Sequence, residues 1–347
     1  MSGEGLYDEL QRANKRATRF LLAGSVVIVA VMVWVIAGIA MPEAALDPVL
    51  GVTVTALGTG LGLLFMFISL RSGPALALRA AKARPVSRDE APELHNLFDE
   101  VCVSAGIMGT KPTLHIVDDP APNAFATGMK LEDSHVAVTT GLVERLPRYE
   151  LRAVLAHEVA HILNDDIRAV TVAVATAGLV ALLADVLVRF MWLGGGRRGG
   201  GGRSSGGGGG GGLQILFLLV GLLALVLAPI AARVIRFAVS RQREYLADAT
   251  AADLLRDPQS MVNALRRIGG DDTNLKEFEA ATAHLWFEEP NETRPDRGQR
   301  ANATKMARRF ATHPSITERI ERLATLNAGA VSLDAPLPPP RPPGGPS

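Results

Sequence analysis

The clearest chemistry in this sequence lies in His157-Glu158-Val159-Ala160-His161. On an α-helix, residues i and i+4 lie on one face a turn apart, so the two imidazoles can close on one metal ion. Glu158 stands beside the first histidine. From there its carboxylate can take a proton from a water that the ion activates. A zinc ion pulls the pKa of such a water toward about 7, which makes hydroxide available at neutral pH. Catalytic zinc needs a third protein ligand and an open position. Later Glu, His and Asp residues are candidates, and Glu244 in Ser240-Arg241-Gln242-Arg243-Glu244-Tyr245-Leu246-Ala247-Asp248 is the best of them. Glu244 and Asp248 are again i, i+4. A second carboxylate there can accept the outer N–H of a metal-bound imidazole and fix its tautomer. Beside Arg241 and Arg243, the same pair taken alone reads as an ordinary charged helix face.

The surrounding pattern supplies a helix to carry the motif. Glu150 to about Asn164 has Leu151, Val154, Leu155, Val159 and Ile162 at helical spacing. A second helix is expected over Ala91 to Ala105, and a third begins at Thr140-Gly141 and ends at Pro147. Leu114 to Val117 and His135 to Thr139 read as short strands. Between them, Asn123-Ala124-Phe125-Ala126-Thr127-Gly128 reads as an edge strand. His95, His115, His135 and His284 lack such company and read as surface or packed residues. Trp286 with Phe287 reads as packing, with an interface anchor or a cleft lining as the alternatives.

Of the 347 residues, 48% are hydrophobic but only 5% aromatic, and mean hydropathy is +0.20. The aliphatic excess comes in long blocks, a membrane pattern. Phe20 to Ala40 and Val49 to Leu70 are each long enough to span a bilayer, which needs about 20 apolar residues. Arg12, Lys15, Arg16 and Arg19 precede the first block. Arg71, Arg79, Lys82 and Arg84 follow the second, and the loop between holds Glu43 and Asp47. This asymmetry predicts a hairpin with both ends in the cytoplasm. Ala169 to Trp192 is a weaker third block, with Asp185 and Arg189 spaced to pair on one helical face. Leu213 to Ile235 is a fourth. A net charge of +1 gives no global field for nucleic acid. The single Cys102 excludes an intrachain disulfide and reads as a small buried hydrophobe.

His157-Glu-Val-Ala-His-Ile-Leu-Asn164 followed by Glu244-Tyr-Leu-Ala-Asp248 resembles the HtpX-like and CAAX prenyl protease family of integral-membrane zinc metallopeptidases, and its bacterial HtpX-like branch in particular. Pro122 to Gly128, Val138 to Leu142 and Thr312-His-Pro-Ser315 with Arg319 also match, and the resemblance runs from about Pro48 to Leu323. It implies a mainly α integral membrane protein. Within it lies a zincin-type protease domain, whose small β-sheet carries an edge strand, and about four transmembrane helices. It implies Zn2+ held by His157, His161 and Glu244, Glu158 as general base, and Asp248 behind a ligand. It implies that Asn123, Ala124, Phe125, Ala126, Thr127 and Gly128 receive a substrate chain as an added strand. His313 corresponds to a family histidine near the site, from which an imidazole can donate to a developing oxyanion. Asp165 stands where the family often has Gly.

The resulting division is a cytoplasmic segment 1–19, a transmembrane hairpin 20–70, and a first protease part 71–168. An apolar hairpin 169–235 with a Gly-rich loop 194–212 follows, then a second protease part 236–327 and a Pro-rich disordered tail 328–347. The ligands flank the apolar hairpin, so the hairpin must leave and return on one side. The expected protein is a multi-pass enzyme of the inner (plasma) membrane with its site facing the cytoplasm. It would hydrolyse misfolded or damaged membrane proteins in quality control and stress response. The alternatives are a processing protease of a prenylated or signalling peptide, and a non-enzymatic scaffold with structural zinc.

Overall fold

The computed structural model describes residues 47–196, 241–271, 287, 314–327 and 329–340, with scattered positions between 12 and 34. The chain divides into two compact units. One comprises residues 1–15, 72–171 and 239–347, and the other 16–71 and 172–238. The fold is mainly helical with one small sheet.

The second unit is apolar. Helix α1, Pro48–Ala80, is the one helix among the described residues that is long and apolar enough to cross a membrane. Its best window is only 17% buried, so its apolar side chains face outward rather than into a protein core. A shorter apolar helix, Thr18–Val31, precedes it. Val29 packs with Met66 and Leu179. Gly58 and Gly62, four residues apart, let the backbones approach. A Cβ would lie 2.4 Å from Val33 at Gly58 and 2.6 Å from Val29 at Gly62. Small residues at this spacing commonly seat membrane helices against one another. Helix α5, Asp166–Gly196, contains the third apolar block, and Arg189 donates to Asp185 at 2.6 Å on it. The expected four spans are thus represented by one strong candidate. The fourth block and the Gly-rich loop beyond Gly196 lie outside the described residues, as do residues 35–46.

The other unit holds the sheet, in the order β1-β2-β4-β3. Its strands are β1, Arg84–Pro85, β2, Thr113–Val117, β3, Ala124–Thr127, and β4, His135–Thr139. β2 and β4 are parallel, and β3 runs antiparallel to β4 at the edge. Period-two alternation divides the sheet's side chains. Leu114, Ala124, Ala126, Val136 and Val138 enter the main core. Val117, Phe125 and Ala137 turn to the other face, where Leu78 and Ala81 cover them.

Thr139 ties the edge strand down. Its hydroxyl donates to the Ala121 carbonyl at 2.6 Å and accepts from the amides of Asn123 and Leu142. The second of these caps helix α3, Thr140–Arg145. Helices α2, Pro92–Ser104, and α4, Arg148–Leu163, pack together under the sheet, with Leu94, Leu97, Phe98 and Val101 of α2 buried as their spacing predicts. Helices α6, Arg241–Leu255, α7, Pro258–Gly270, and α8, Ile316–Leu326, complete the core.

α4 is buried almost all round rather than on one stripe, including Glu150, His157 and Glu158. Each of these polar groups needs compensation inside the protein. Glu150 receives a two-pronged ion pair from Arg267 of α7, at 2.6 and 3.0 Å.

Residues 329–340 depart from the expectation of a disordered tail. Gln259 and Ser332 exchange backbone-to-side-chain hydrogen bonds, Arg266 donates to the Ala335 carbonyl, and Arg267 donates to that of Pro338. Proline cannot donate, but its carbonyl accepts, so a Pro-rich strand can dock on arginines. Residues 341–347 lie outside the described residues. Cys102 is buried, and burial pushes its thiol up to about 11, which makes it inert.

Candidate metal centre

α4 turns His157 and His161 to one side, and their Nε2 atoms lie 3.1 Å apart. α6 packs on α4 through small residues, Ala247 and Ala251, both buried to 1% exposure or less. The close approach brings Glu244 to the histidines. Its Oε2 is 3.7 Å from His157 Nε2, and its Oε1 is 3.7 Å from His161 Nε2. Two ligand atoms at about 2.0–2.1 Å from a tetrahedral zinc ion are about 3.3 Å apart. The observed separations bracket that value.

The outer nitrogens decide what the inner ones can do. His157 Nδ1 lies 2.9 Å from Asp248 Oδ1, and His161 Nδ1 lies 3.0 Å from Asp166 Oδ2. A carboxylate only accepts, so each Nδ1 carries a proton, and each ring when neutral presents an Nε2 lone pair. Two lone pairs and a carboxylate thus converge on one point, an arrangement that calls for a cation. These donors fit zinc in type, number and separation.

The electrostatics agree. Burial lowers the pKa of His157 to about 4, with Arg319 and His161 adding to the effect against Asp248, so the ring is neutral. Burial also lowers His161, but Glu244, Asp166 and Glu158 outweigh it and lift the group to about 9. Without a metal, a proton at His161 supplies the positive charge. Burial raises Asp166 despite His161 and Arg243. Asp248 is lowered, because Arg319 and His157 overcome its burial.

Arg319, on α8, is buried to 1% and grips Asp248 through Nε at 2.8 Å and a terminal nitrogen at 2.6 Å. Arg243 Nε stands 3.6 Å from Asp166. Each carboxylate behind a histidine therefore has an arginine behind it. Glu158 is 2% exposed, and its charge acts on both His161 and Arg319. The His161 side chain is 16% exposed against 1% for His157, so the centre opens on the His161 side.

The structure thus brings together His157, Glu158, His161, Glu244 and Asp248. The stretch Asn123 to Gly128 contains the edge strand β3, with Asn123 Oδ1 accepting from the Ala124 amide. His313 lies outside the described residues, as do His284 and Trp286. His95 pairs with the Val86 carbonyl, and His115 and His135 stack edge to face at 5.0 Å, away from the centre's residues.

Sequence reasoning missed Asp166, assigned no role to Arg319, and preferred packing for Phe287 over lining a cleft. A faint signal for Asp166 existed. Asp165 has φ +59, a conformation that favours Gly, and there the chain turns sharply out of α4. The residue after that turn is the one delivered to His161.

Residues 88–327 match the profile of peptidase family M48. A protease HtpX homolog of Listeria monocytogenes serovar 1/2a is 38% identical over 315 residues, which cover 90% of this chain and 98% of that protein. A protease HtpX homolog of Thermoanaerobacter pseudethanolicus is 40% identical over 274 residues, covering 77% and 85%. The crystal structure of S. mikatae Ste24p aligns at a TM-score of 0.44 and 15% identity, over 91% of this chain and 66% of that one. The family match and the HtpX homologues define a membrane metalloprotease. The chain belongs to peptidase family M48.

Proposed function

We propose that the chain is a zinc-dependent endopeptidase that cuts misfolded or damaged membrane proteins, with its site at the cytoplasmic face of the plasma membrane. The single observation that carries the zinc assignment is the convergence of His157 Nε2, His161 Nε2 and the Glu244 carboxylate, with both ring tautomers set from behind. His157, His161 and Glu244 would hold the ion. Zinc supplies Lewis-acid polarisation of the scissile carbonyl and acidifies a water.

The protein's own groups do the rest. Glu158 takes the proton from the attacking water and delivers it to the leaving amine. Asp248 and Asp166 hold the imidazoles in the tautomers the ion requires. β3 offers main-chain groups to an extended polypeptide, which gives affinity with little sequence selectivity. Such tolerance suits damaged substrates. The HtpX name carried by the relatives is consistent with quality control, and the Lys/Arg asymmetry around the first two apolar blocks supports a cytoplasmic site. Three further spans beside α1 belong to this reading.

The test is Glu158→Gln. The variant is expected to keep its zinc by metal analysis and to lose hydrolysis of casein by about 100-fold or more, the range of acid–base catalysis. Unchanged hydrolysis would remove Glu158 from the chemistry.

A further inference from the structure

β3 pairs with β4 on one side only. Antiparallel pairing directs the main-chain groups of alternate residues to alternate sides. The Thr139 amide donates to the Asn123 carbonyl, which turns Asn123, Phe125 and Thr127 toward β4. Ala124 and Ala126 therefore turn their main-chain groups to the outer edge, where the Ala124 N–H donates to Asn123 Oδ1.

The outer edge at Ala124 is already taken. The Phe287 amide donates to the Ala124 carbonyl at 2.7 Å. The Phe287 carbonyl accepts from Arg319 at 3.3 Å. Its ring stands edge to face against the His157 ring at 4.9 Å, lies 4.4 Å beneath the Arg319 guanidinium, and is part of a residue only 3% exposed. One residue thus gives a donor to the edge strand, an acceptor to a buried arginine, and an apolar side chain to a pocket beside a metal-binding histidine. The bond to Ala124 is the main-chain contact that an extended polypeptide laid along β3 would make, and the buried ring beside His157 is the side-chain contact. Burial of the ring favours this position.

We propose that Phe287 is an internal stand-in for substrate. It fills the subsite next to the bond to be cut, and an incoming polypeptide must displace it. The same contacts define what that subsite takes: an aromatic or bulky apolar side chain, held between the His157 ring and the Arg319 guanidinium. Occupation by the chain's own residue multiplies apparent substrate affinity by the fraction of molecules that are open, which raises the apparent Kd. A membrane protease restrained this way cuts chains that expose apolar residues at high local concentration and spares the rest. The proposal rests on the endopeptidase reading above.

The experiment uses the full zinc-loaded chain in detergent, carrying Glu158→Gln so that bound peptide persists. The probe is a blocked ten-residue peptide with a central Phe. Hydrogen exchange at the Phe287 amide is expected to accelerate ten-fold or more when peptide saturates, while the Ala126 amide becomes protected. In the otherwise unaltered chain, Phe287→Gly should lower the KM for the same peptide about five-fold with little change in kcat. Replacing the peptide's central Phe by Asp should lower kcat/KM more than 100-fold. A Phe287 amide that stays protected while Ala126 responds to bound peptide would make Phe287 a fixed wall and overturn the proposal. Equal cleavage of the Phe and Asp peptides would overturn the subsite assignment. Either result leaves the endopeptidase reading standing, because hydrolysis lost on Glu158→Gln tests that separately. A zinc-loaded chain that cuts no peptide at all sinks both.

Discussion

Asp166→Asn isolates one hydrogen bond behind the metal centre. Asp166 accepts from His161 Nδ1 at 3.0 Å, is 3% exposed, and lies 3.6 Å from Arg243. A hydrogen bond to a charged group contributes about 1.5–3 kcal/mol. Asparagine keeps the shape and an accepting oxygen but removes the charge, so roughly half to all of that is at stake. At 1.4 kcal/mol per decade, zinc affinity should fall about 3- to 100-fold, overlapping the roughly 10- to 100-fold typical for partners of ligating histidines. Alanine would also take a carboxylate from buried Arg243, which mixes a folding cost into the result. The assay is competition for zinc against a chromogenic chelator at pH 7.5. Thermal unfolding of the stripped protein serves as the control for folding. Unchanged zinc affinity in both Asp166→Asn and Asp166→Ala would refute the reasoning, since His161 would then be held without Asp166.

Two other outcomes follow from the same geometry. Zinc uptake by the stripped protein near pH 7 should release about one proton, because metal-free His161 holds one with a pKa lifted to about 9. Zinc affinity should therefore rise with pH until it passes that value, and the release should vanish above it. An unbuffered titration with a pH indicator measures this, and no release at pH 7 would mean a neutral His161. Arg319→Leu leaves Asp248 buried without its two-pronged partner and should cost about 3–5 kcal/mol of stability. It should be read as a lower thermal midpoint of the zinc-loaded protein. Arg319→Lys, which keeps the charge but not the planar fork, should recover only part.

The parts of this protein that local chemistry determines were legible in the sequence. His157, Glu158 and His161 are placed by helical period alone, and Pro92, Thr139 and Pro147 mark element ends through their own caps and constraints. The edge strand was placed within Asn123 to Gly128, and the family resemblance gave it its substrate-binding role. The apolar blocks could be measured against a bilayer before any fold existed.

What lay beyond was decided by packing. α4 is buried almost all round, so periodicity marked the helix but not its central position. Glu244 meets the histidines because alanines let α6 approach α4, a contact that residue spacing along one helix does not encode. Asp166 reaches His161 only after the left-handed turn at Asp165. Arg319 and Phe287 come from distant parts of the chain with no periodic tie to the motif.

By itself, the sequence determined that two histidines and a glutamate on one helix could hold and use a metal, because a helix repeats every 3.6 residues whatever surrounds it. Only the tertiary structure decided which carboxylates set the tautomers, which arginines balance them, and which residue sits on the edge strand. Those roles depend on distances of about 3 Å between groups on different elements, and such distances exist only once the core has closed around them.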